Sequence, residues 1–531
     1  VQQQWSRSVL YSLNLFECGC FWSTYCLANS QAIFPRLCKL GVLMLSILLI
    51  LPIVGCLLIL LLDKYAQQIT TLVITLCFLW SLWLLWQFQP NADGIQFTEY
   101  LPWLPPIGLS YSLGVDGLSL PLVVLNGLVT LVAIFTIEDK VERPRLHYCL
   151  ILLINAGMTG AFVAQNLLLF ILFYELELIP FYLMISIWGS EKRGYAAIKF
   201  LLYSALSGLL ILAAFLGMTW ASGSLSFDYS SLTVDSLAAK SQLILLILVI
   251  VGFAIKIPLV PLHTWLPDAY TEASPATTIL LGGILAKLGT YGLIRFGLEL
   301  FPTAWSLVAP SLALVGTLSV LYGAFCAISQ QDIKRMVAYS SIGHMGYIMV
   351  ASAAGNRLSV LGAVAQMVSH GLILALLFYL VAIVERKTGT RDLNILNGLM
   401  NPIRGLPLIS ALLILGGMAS AGIPGLVGFV AEFIIFQGSF SIFPVATLLC
   451  IIASGLTAVY FVILLNRTCF GKLDNKLAYY PKVTLRESLP PLILTFLIIL
   501  LGVQPNLLLS SMENTVDGLT TATPITFLSK F

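Results

Sequence analysis

The sequence predicts an all-α polytopic membrane protein of about fourteen transmembrane helices, with two inverted five-helix repeats and two broken helices. Three observations carry that reading. Of 531 residues, 59% are hydrophobic and only 10% charged, with a mean hydropathy of +0.97; a soluble domain carries about 25% charged residues. Apolar stretches of roughly 20 residues, each long enough to cross a bilayer as a helix, recur along most of the chain. None alternates polar with apolar residues as a barrel strand would.

The spans fall near 41–62, 69–88, 117–136, 147–164, 167–188, 198–221, 241–263, 275–298, 305–327, 335–353, 360–384, 406–437, 442–465 and 488–510. The longest loops between them are 89–116, 222–240, 385–405 and 466–487. Of the 27 lysines and arginines, Lys256 and Lys287 fall well inside spans, more than four residues from either end. About 18 others gather on the side holding loops 137–146, 189–197, 328–335, 385–405 and 466–487, against about 4 opposite, which makes that side cytoplasmic. Residues 1–40 fit this scheme poorly. They bring Arg7, Arg36 and Lys39 to the far side with Cys18, Cys20, Cys26 and Cys38 and no clear span. "MLSILLILPIVG", from Met44, reads as a natural start, so 1–40 are expected to be an over-extended start, the alternative being a genuine extension.

The remaining division is 41–136 for the first three spans, 147–298 and 305–465 for two five-span units, and 488–510 for the last span. Five is odd, so the units insert with opposite orientation. Each has a proline-broken span in fourth position: "AIKIPLVP" in the first, "ASAGIPGLVGFVAEF" (419–433) in the second. Paired breaks in corresponding positions point to an inverted-repeat transporter with its polar site at the breaks.

Charges inside these spans are the candidate site. Glu175 and Glu177 lie in span five, Lys256 beside Pro258 and Pro261 in span seven, Lys287 in the middle of span eight, and Glu432 eight residues past Pro424. Each such charge costs about 2.5–3.5 kcal/mol at a helix centre, so these side chains should face a protein interior or a watery path. Glu175 and Glu177 are about 200° apart on a helix and cannot share a face; spacing does not choose between them. Gly282, Gly283, Gly289 and Gly292 around Lys287 allow close helix approach. His344 and His370 add groups that titrate near neutrality on neighbouring spans. Proton transfer needs groups that gain and lose protons. A carboxylate beside a lysine makes it hold its proton, and an apolar setting makes it let go. Arginine cannot do this, and no arginine is expected deep in any span.

Other classes are weaker. The net charge of +3 gives no case for nucleic acid. The ten cysteines form no C-x-x-C pair and suggest neither an iron–sulfur cluster nor a disulfide framework. Paired histidines could also ligate haem. His263 and Asp268 in "HTWLPDAY" lack the nucleophile or metal spacing of a surface enzyme.

"ELELIPFYLMISIWG", "KIPLVPLHTWLPDAYTEA", "LAKLGTYGLIRF", "DIKRMVAYSSIGHMGY", "QMVSHGL" and "GIPGLVGFVAEF" together resemble the antiporter-like proton-pumping subunits of respiratory complex I, over residues 45–510. Within that family the chain resembles the NdhD type of the photosynthetic NDH complex. Glu432 stands where sister types carry lysine, and the chain ends soon after span fourteen. The resemblance implies roles: Glu175 as the fifth-span glutamate paired with Lys256, Lys287 as central lysine, His344 and His370 as central histidines, and Glu432 as the terminal proton-loading residue. It implies no redox centre, cofactor or metal in this chain. It implies electron transfer from NAD(P)H or reduced ferredoxin to plastoquinone elsewhere in a cyanobacterial thylakoid complex, with neighbouring antiporter-like subunits and lipids as partners. "SEKRGYAAIKFLLYSALSG" and "EASPATTILLGGILAKLG" depart from the respiratory pattern. They lean toward the carbon dioxide uptake form, which has a carbonic-anhydrase-like module. The alternative is a cation/proton antiporter subunit of the multisubunit sodium-exchange type.

Overall fold

The computed structural model describes residues 43–521, apart from 93, 139, 225, 232, 233, 235, 236 and 474–479. The expectation for residues 1–40 lies outside the described residues. Helices run Ser46–Leu61 (α1), Ala66–Gln87 (α2), Leu120–Ile134 (α3), Pro144–Val163 (α4), Leu167–Trp188 (α5), Arg193–Ser222 (α6), Ala239–Lys256 (α7) and Trp265–Glu272 (α8). They continue with Pro275–Leu298 (α9), Pro302–Ile328 (α10), Ile333–Ala354 (α11), Arg357–Thr388 (α12), Pro407–Ser420 (α13), Val427–Phe440 (α14), Pro444–Thr468 (α15) and Leu485–Val503 (α16). Two short helices, Asn506–Leu509 (α17) and Glu513–Thr521 (α18), follow.

Each expected span is present as a helix or a broken pair. Among the described residues 10 helices are long and apolar enough to cross a membrane. Helices α1 and α3, the polar helix α11 and the pair α13–α14 complete the set of crossings. The 14-residue helices α13 and α14 are each about 21 Å long, too short alone for a ~30 Å hydrocarbon core. The chain crosses by using both, with a break at 421–426. Helices α7 and α8 do the same around a break at 257–264.

Burial orders the bundle. Helices α9 and α12 are buried through their whole apolar windows, whereas α2 and α16 are only a third buried and show apolar side chains outward. The outer helices show apolar side chains outward, and the centre is packed protein. At 32 residues α12 is about 48 Å long, well beyond the hydrocarbon core. It starts with a capping box, the Asn356 side chain accepting from Ser359 N at 2.9 Å, and stops at Gly389, whose φ of 76° only glycine adopts freely.

Loop 89–116, one of the longest between spans, holds a β-hairpin. Strand Gln96–Leu104 (β1) pairs antiparallel with Leu109–Val115 (β2). The signal was present in the Pro105-Pro106-Ile107-Gly108 turn, where Gly108 has φ +70°. Strand β1 is mostly exposed, and Glu99 is its one buried residue. Its carboxylate accepts from Leu45 N at 2.6 Å and Ser46 N at 3.2 Å, satisfying orphan donors at the start of α1. Burial pushes the Glu99 carboxyl up, with the Ser46 hydroxyl and the Leu45 and Ser46 amides pulling back. A raised folded value means stability is present below the ordinary 4.5 and lost as pH rises through the folded value. Glu99→Gln should therefore flatten the fall in thermal midpoint of the purified protein as pH rises from 4.5. An unchanged slope would place the pH dependence elsewhere.

Candidate proton path

The hydrogen-bond ladder of α5 is interrupted at Glu177, which keeps helical φ and ψ of −77° and −21°, between its segments Leu167–Leu176 and Leu178–Trp188. Pro180 causes this: it has no N–H to give Leu176, and its ring crowds that carbonyl. The loosened turn brings Glu177 fully inside, where Oε1 lies 2.5 Å from Lys256 Nζ. Neither Glu177 oxygen accepts a well-directed hydrogen bond, so the pair is held by charge and proximity. Lys256 Nζ also sits 4.4 Å from the centre of the Tyr174 ring. The Tyr174 hydroxyl meets Ser207 Oγ at 2.7 Å, and Ser207 donates to Gly252 O at 2.7 Å.

The expected partner of Lys256 was Glu175, and here the structure corrects the reading. Glu175 is half-buried and packs against Gly208 of α6 so tightly that no side chain would fit there. It remains close enough for Lys256 to act on its charge, but the contact is made by Glu177. The family pattern chose Glu175, whereas in this structure the fully buried carboxylate is Glu177.

The break after Lys256 is tied down on both sides. Trp265 Nε1 donates to the freed Ile255 carbonyl at 2.8 Å, and Val260 N donates to Ser319 Oγ at 3.0 Å. Gly289 of α9 lies against this corner: a Cβ there would come within 3.1 Å of Lys256 Cβ. Close approach of α9 to the break is what that glycine provides.

Helix α9 is irregular in a useful way. Leu281–Leu285 and Leu293–Leu298 are π-helical, with one α-helical stretch, Ala286–Gly292, between them. Lys287 is completely buried on that stretch, and its Nζ donates to the Gly282 carbonyl in the π segment. Such segments are frequent at functional sites.

Beyond Lys287 lie the histidines. His370 is 2% exposed, and neither ring nitrogen has a hydrogen-bond partner. Lys287 and His344 both act on its charge. The His344 ring centre is 5.2 Å from that of His370. His344 Nε2 meets Ser420 Oγ at 3.0 Å, and Nδ1 lies 3.4 Å from Glu432 Oε1. Glu432 Oε2 accepts from Ser454 Oγ at 2.9 Å. Gly422, φ +70°, leaves room for this carboxylate: a Cβ there would sit 2.9 Å from Oε2. The second break thus delivers Ser420 and Glu432 to His344.

Lys256, Lys287, His344, His370 and Glu432 are buried along this line, Glu177 is buried with them, and Glu175 is half-buried beside the pair. Sequence reasoning missed three further features. Ser420 and Ser454 carried no signal as isolated serines. Arg295 contradicts the expectation of no deep arginine: it is buried at the far end of α9, bonded to Asp116 and to Glu299 at 2.9 Å. Burial works to raise the Asp116 carboxyl, but Arg295 and the Ser119 contacts outweigh it and leave the value lowered. Among the described residues no group of three or more His, Cys, Asp or Glu side chains could hold a metal.

A helical bundle with two broken helices and a buried row of ionisable side chains defines an ion-translocating membrane subunit. The transmembrane model described as NADH:quinone oxidoreductase/Mrp antiporter matches residues 164–457, and the chain belongs to that family. It is 40% identical over 438 residues to "NAD(P)H-quinone oxidoreductase chain 4 3" of Trichormus variabilis, covering 81% of each chain. It is 42% identical over 399 residues to a chain 4 of Synechococcus elongatus, covering 74% of each. Among solved structures it resembles a chain of respiratory complex I from Thermus thermophilus at 28% identity. The TM-score is 0.81, over 90% of this chain and 99% of that one. A chain of the Mrp complex from Dietzia shares the fold at 20% identity and TM-score 0.79, over 91% of this chain and 98% of that one.

Proposed function

We propose that this chain is the proton-translocating membrane subunit of a quinone-reducing NAD(P)H-type complex, carrying protons along Glu177–Lys256, Lys287, His370, His344 and Glu432. The observation that supports it most is the row itself: ionisable groups 0–4% exposed reach from one helix break to the other. Burying them without function would be costly. The two five-helix units, 147–298 and 305–465, each supply one half of the row and one break. Glu175 stands beside the pair as a second carboxylate in reach of Lys256.

Opening of the Glu177–Lys256 pair frees the lysine proton to move toward Lys287; closing it restores the resting state. His370, with both nitrogens free, accepts from Lys287 and hands on to His344, which faces Glu432. Electron transfer is done elsewhere in the complex, and this chain is read as holding no cofactor. The cyanobacterial relatives support a thylakoid setting with plastoquinone as acceptor. The carbon dioxide uptake form remains our reading of the 190–208 and 272–289 segments. Gentle solubilisation tests it: co-purifying carbonic-anhydrase-like protein supports that form, and its absence with intact cyclic electron flow rejects it.

Glu432→Gln keeps shape and the Ser454 contact but cannot ionise. It should assemble and lose pumping by on the order of tenfold or more. Wild-type pumping in Glu432→Gln, with failed assembly of Glu432→Ala, would make Glu432 a structural acceptor. Sodium-dependent proton flux without electron donor or quinone would favour the antiporter alternative.

A further inference from the structure

Tyr174 touches the switch but has no part in the row. It is completely buried on the first segment of α5, and its ring centre lies 4.4 Å from Lys256 Nζ. A cation within about 6 Å of a ring centre is attracted by the negative face of the ring, most strongly where water is excluded. Lys256 thus has two supports, the Glu177 carboxylate at 2.5 Å and this ring.

The ring is tied to the helix that carries the lysine. Ser207 Oγ donates to Gly252 O at 2.7 Å, so its hydrogen is committed. The Tyr174 hydroxyl, 2.7 Å from Ser207 Oγ, is therefore the donor in that contact. Gly252 lies one helical turn before Lys256 on α7. Phe170 and Phe253 fix the plane of the ring, with centres 5.5 Å and 6.1 Å away and Phe253 edge-on. Glu177 has no such tie. It stands at the interruption of α5, past the segment that carries Tyr174, and neither of its oxygens accepts a well-directed hydrogen bond. The two supports therefore lie on separate parts of α5: the carboxylate can swing away at the interruption while the ring stays with α7.

We infer that Tyr174 is a positioning residue: its ring face seats the Lys256 ammonium at the corner against Gly289 while Glu177 leaves, so that opening the pair separates the charges instead of drawing the lysine along. A Cβ at Gly289 would come within 3.1 Å of Lys256 Cβ, so the seat keeps the lysine beside α9, the helix of Lys287. A ring face attracts the ammonium less strongly than a carboxylate does, so the seated lysine is readier to give its proton than the paired one. Tyr174 itself carries no proton, because its hydroxyl is directed to Ser207. The inference rests on the proton-carrying reading of the row and adds to it what holds the lysine when its partner opens.

The test uses the whole complex in sealed vesicles and reads protons translocated per electron, with Lys287→Met as the reference for full loss. Tyr174→Phe removes the tie to Ser207 but keeps the ring face, and should retain most of the ratio. Trifluorophenylalanine in place of Tyr174 keeps the ring in place, but its fluorines withdraw charge from the face. It should assemble as Tyr174→Phe does and lose most of the proton transfer that Lys287→Met abolishes. Tyr174→Leu, which fills the space with no ring, should lose as much. Equal ratios in the phenylalanine and trifluorophenylalanine variants, or a wild-type ratio in Tyr174→Leu, would make the ring mere packing and overturn the seat. If Tyr174→Phe does not assemble, difluorotyrosine at the same position keeps the hydroxyl and weakens the same face. A lowered ratio there supports the seat, and a wild-type ratio overturns it. A wild-type ratio in Lys287→Met would sink the proton-carrying reading itself; a lowered one, beside equal phenylalanine variants, would sink the seat alone.

Discussion

Glu177→Gln and Lys256→Met should each cut proton pumping by on the order of tenfold or more, and the double variant should pump no worse than the weaker single one. The two side chains meet at 2.5 Å, fully buried, without a well-directed hydrogen bond. Removing Lys256 leaves the Glu177 carboxylate buried alone, and removing Glu177 leaves Lys256 only the half-buried Glu175; breaking a buried pair in this way costs about 3–5 kcal/mol. The single variants should therefore assemble poorly as well as pump poorly. The double variant Glu177→Gln/Lys256→Met buries no unpaired charge and should recover assembly without recovering pumping. Stability and pumping thus come apart, which a purely structural ion pair would not allow. Single effects that multiply in the double variant would mean the residues act independently. Glu175→Gln is the discriminating companion. With Glu177 intact the resting pair survives, so its loss should be milder than that of Glu177→Gln. The reverse order would reinstate Glu175 as the switch.

Lys287→Arg should be nearly as damaging as Lys287→Met. Both variants address the only charge on α9 between its two π segments. Arginine keeps a positive charge and can still donate to Gly282 O, so a scaffold role would survive the change. It cannot release a proton, so a relay would not. A loss of about a hundredfold corresponds to roughly 2.7 kcal/mol on the rate-limiting transfer. The site is tight: Gly282 and Gly283 face Phe378 and Val129 with no room for a Cβ. Assembly of the arginine variant must therefore be verified alongside flux. Native assembly with full flux would make Lys287 a fixed charge.

The crossings were legible because each is a long apolar run, and the breaks because proline and glycine interrupt two of them beside a charge. The helix carrying His344 is the instructive case. Lys334, Arg335, His344 and several serines make α11 polar, and it is the one long central helix absent from the set that qualifies on apolarity; the apolar residues of 335–353 still marked it as a span. Lys256, Lys287, His344, His370 and Glu432 could be placed because each stands at least seven residues from any other Asp, Glu, Lys, Arg or His of its span. Spacing could not tell Glu175 from Glu177, and the resemblance chose Glu175; which of the two meets Lys256 depends on how α5 packs around its interruption at Glu177. Arg295 escaped because its partners, Asp116 and Glu299, come from the hairpin–α3 turn and the end of α9. The Glu299 contact is an i,i+4 pair, whereas the Asp116 contact is a tertiary fact with no local pattern. The hairpin itself was hidden in a stretch judged only by not being a span.

The most direct measurement is the ratio of protons translocated to electrons transferred, in sealed vesicles holding the complex with wild-type chain or Lys287→Met. If the buried row is the path, electrons still reach quinone in the variant, and fewer protons cross per electron. An unchanged ratio, with the variant subunit present in the complex, would contradict it.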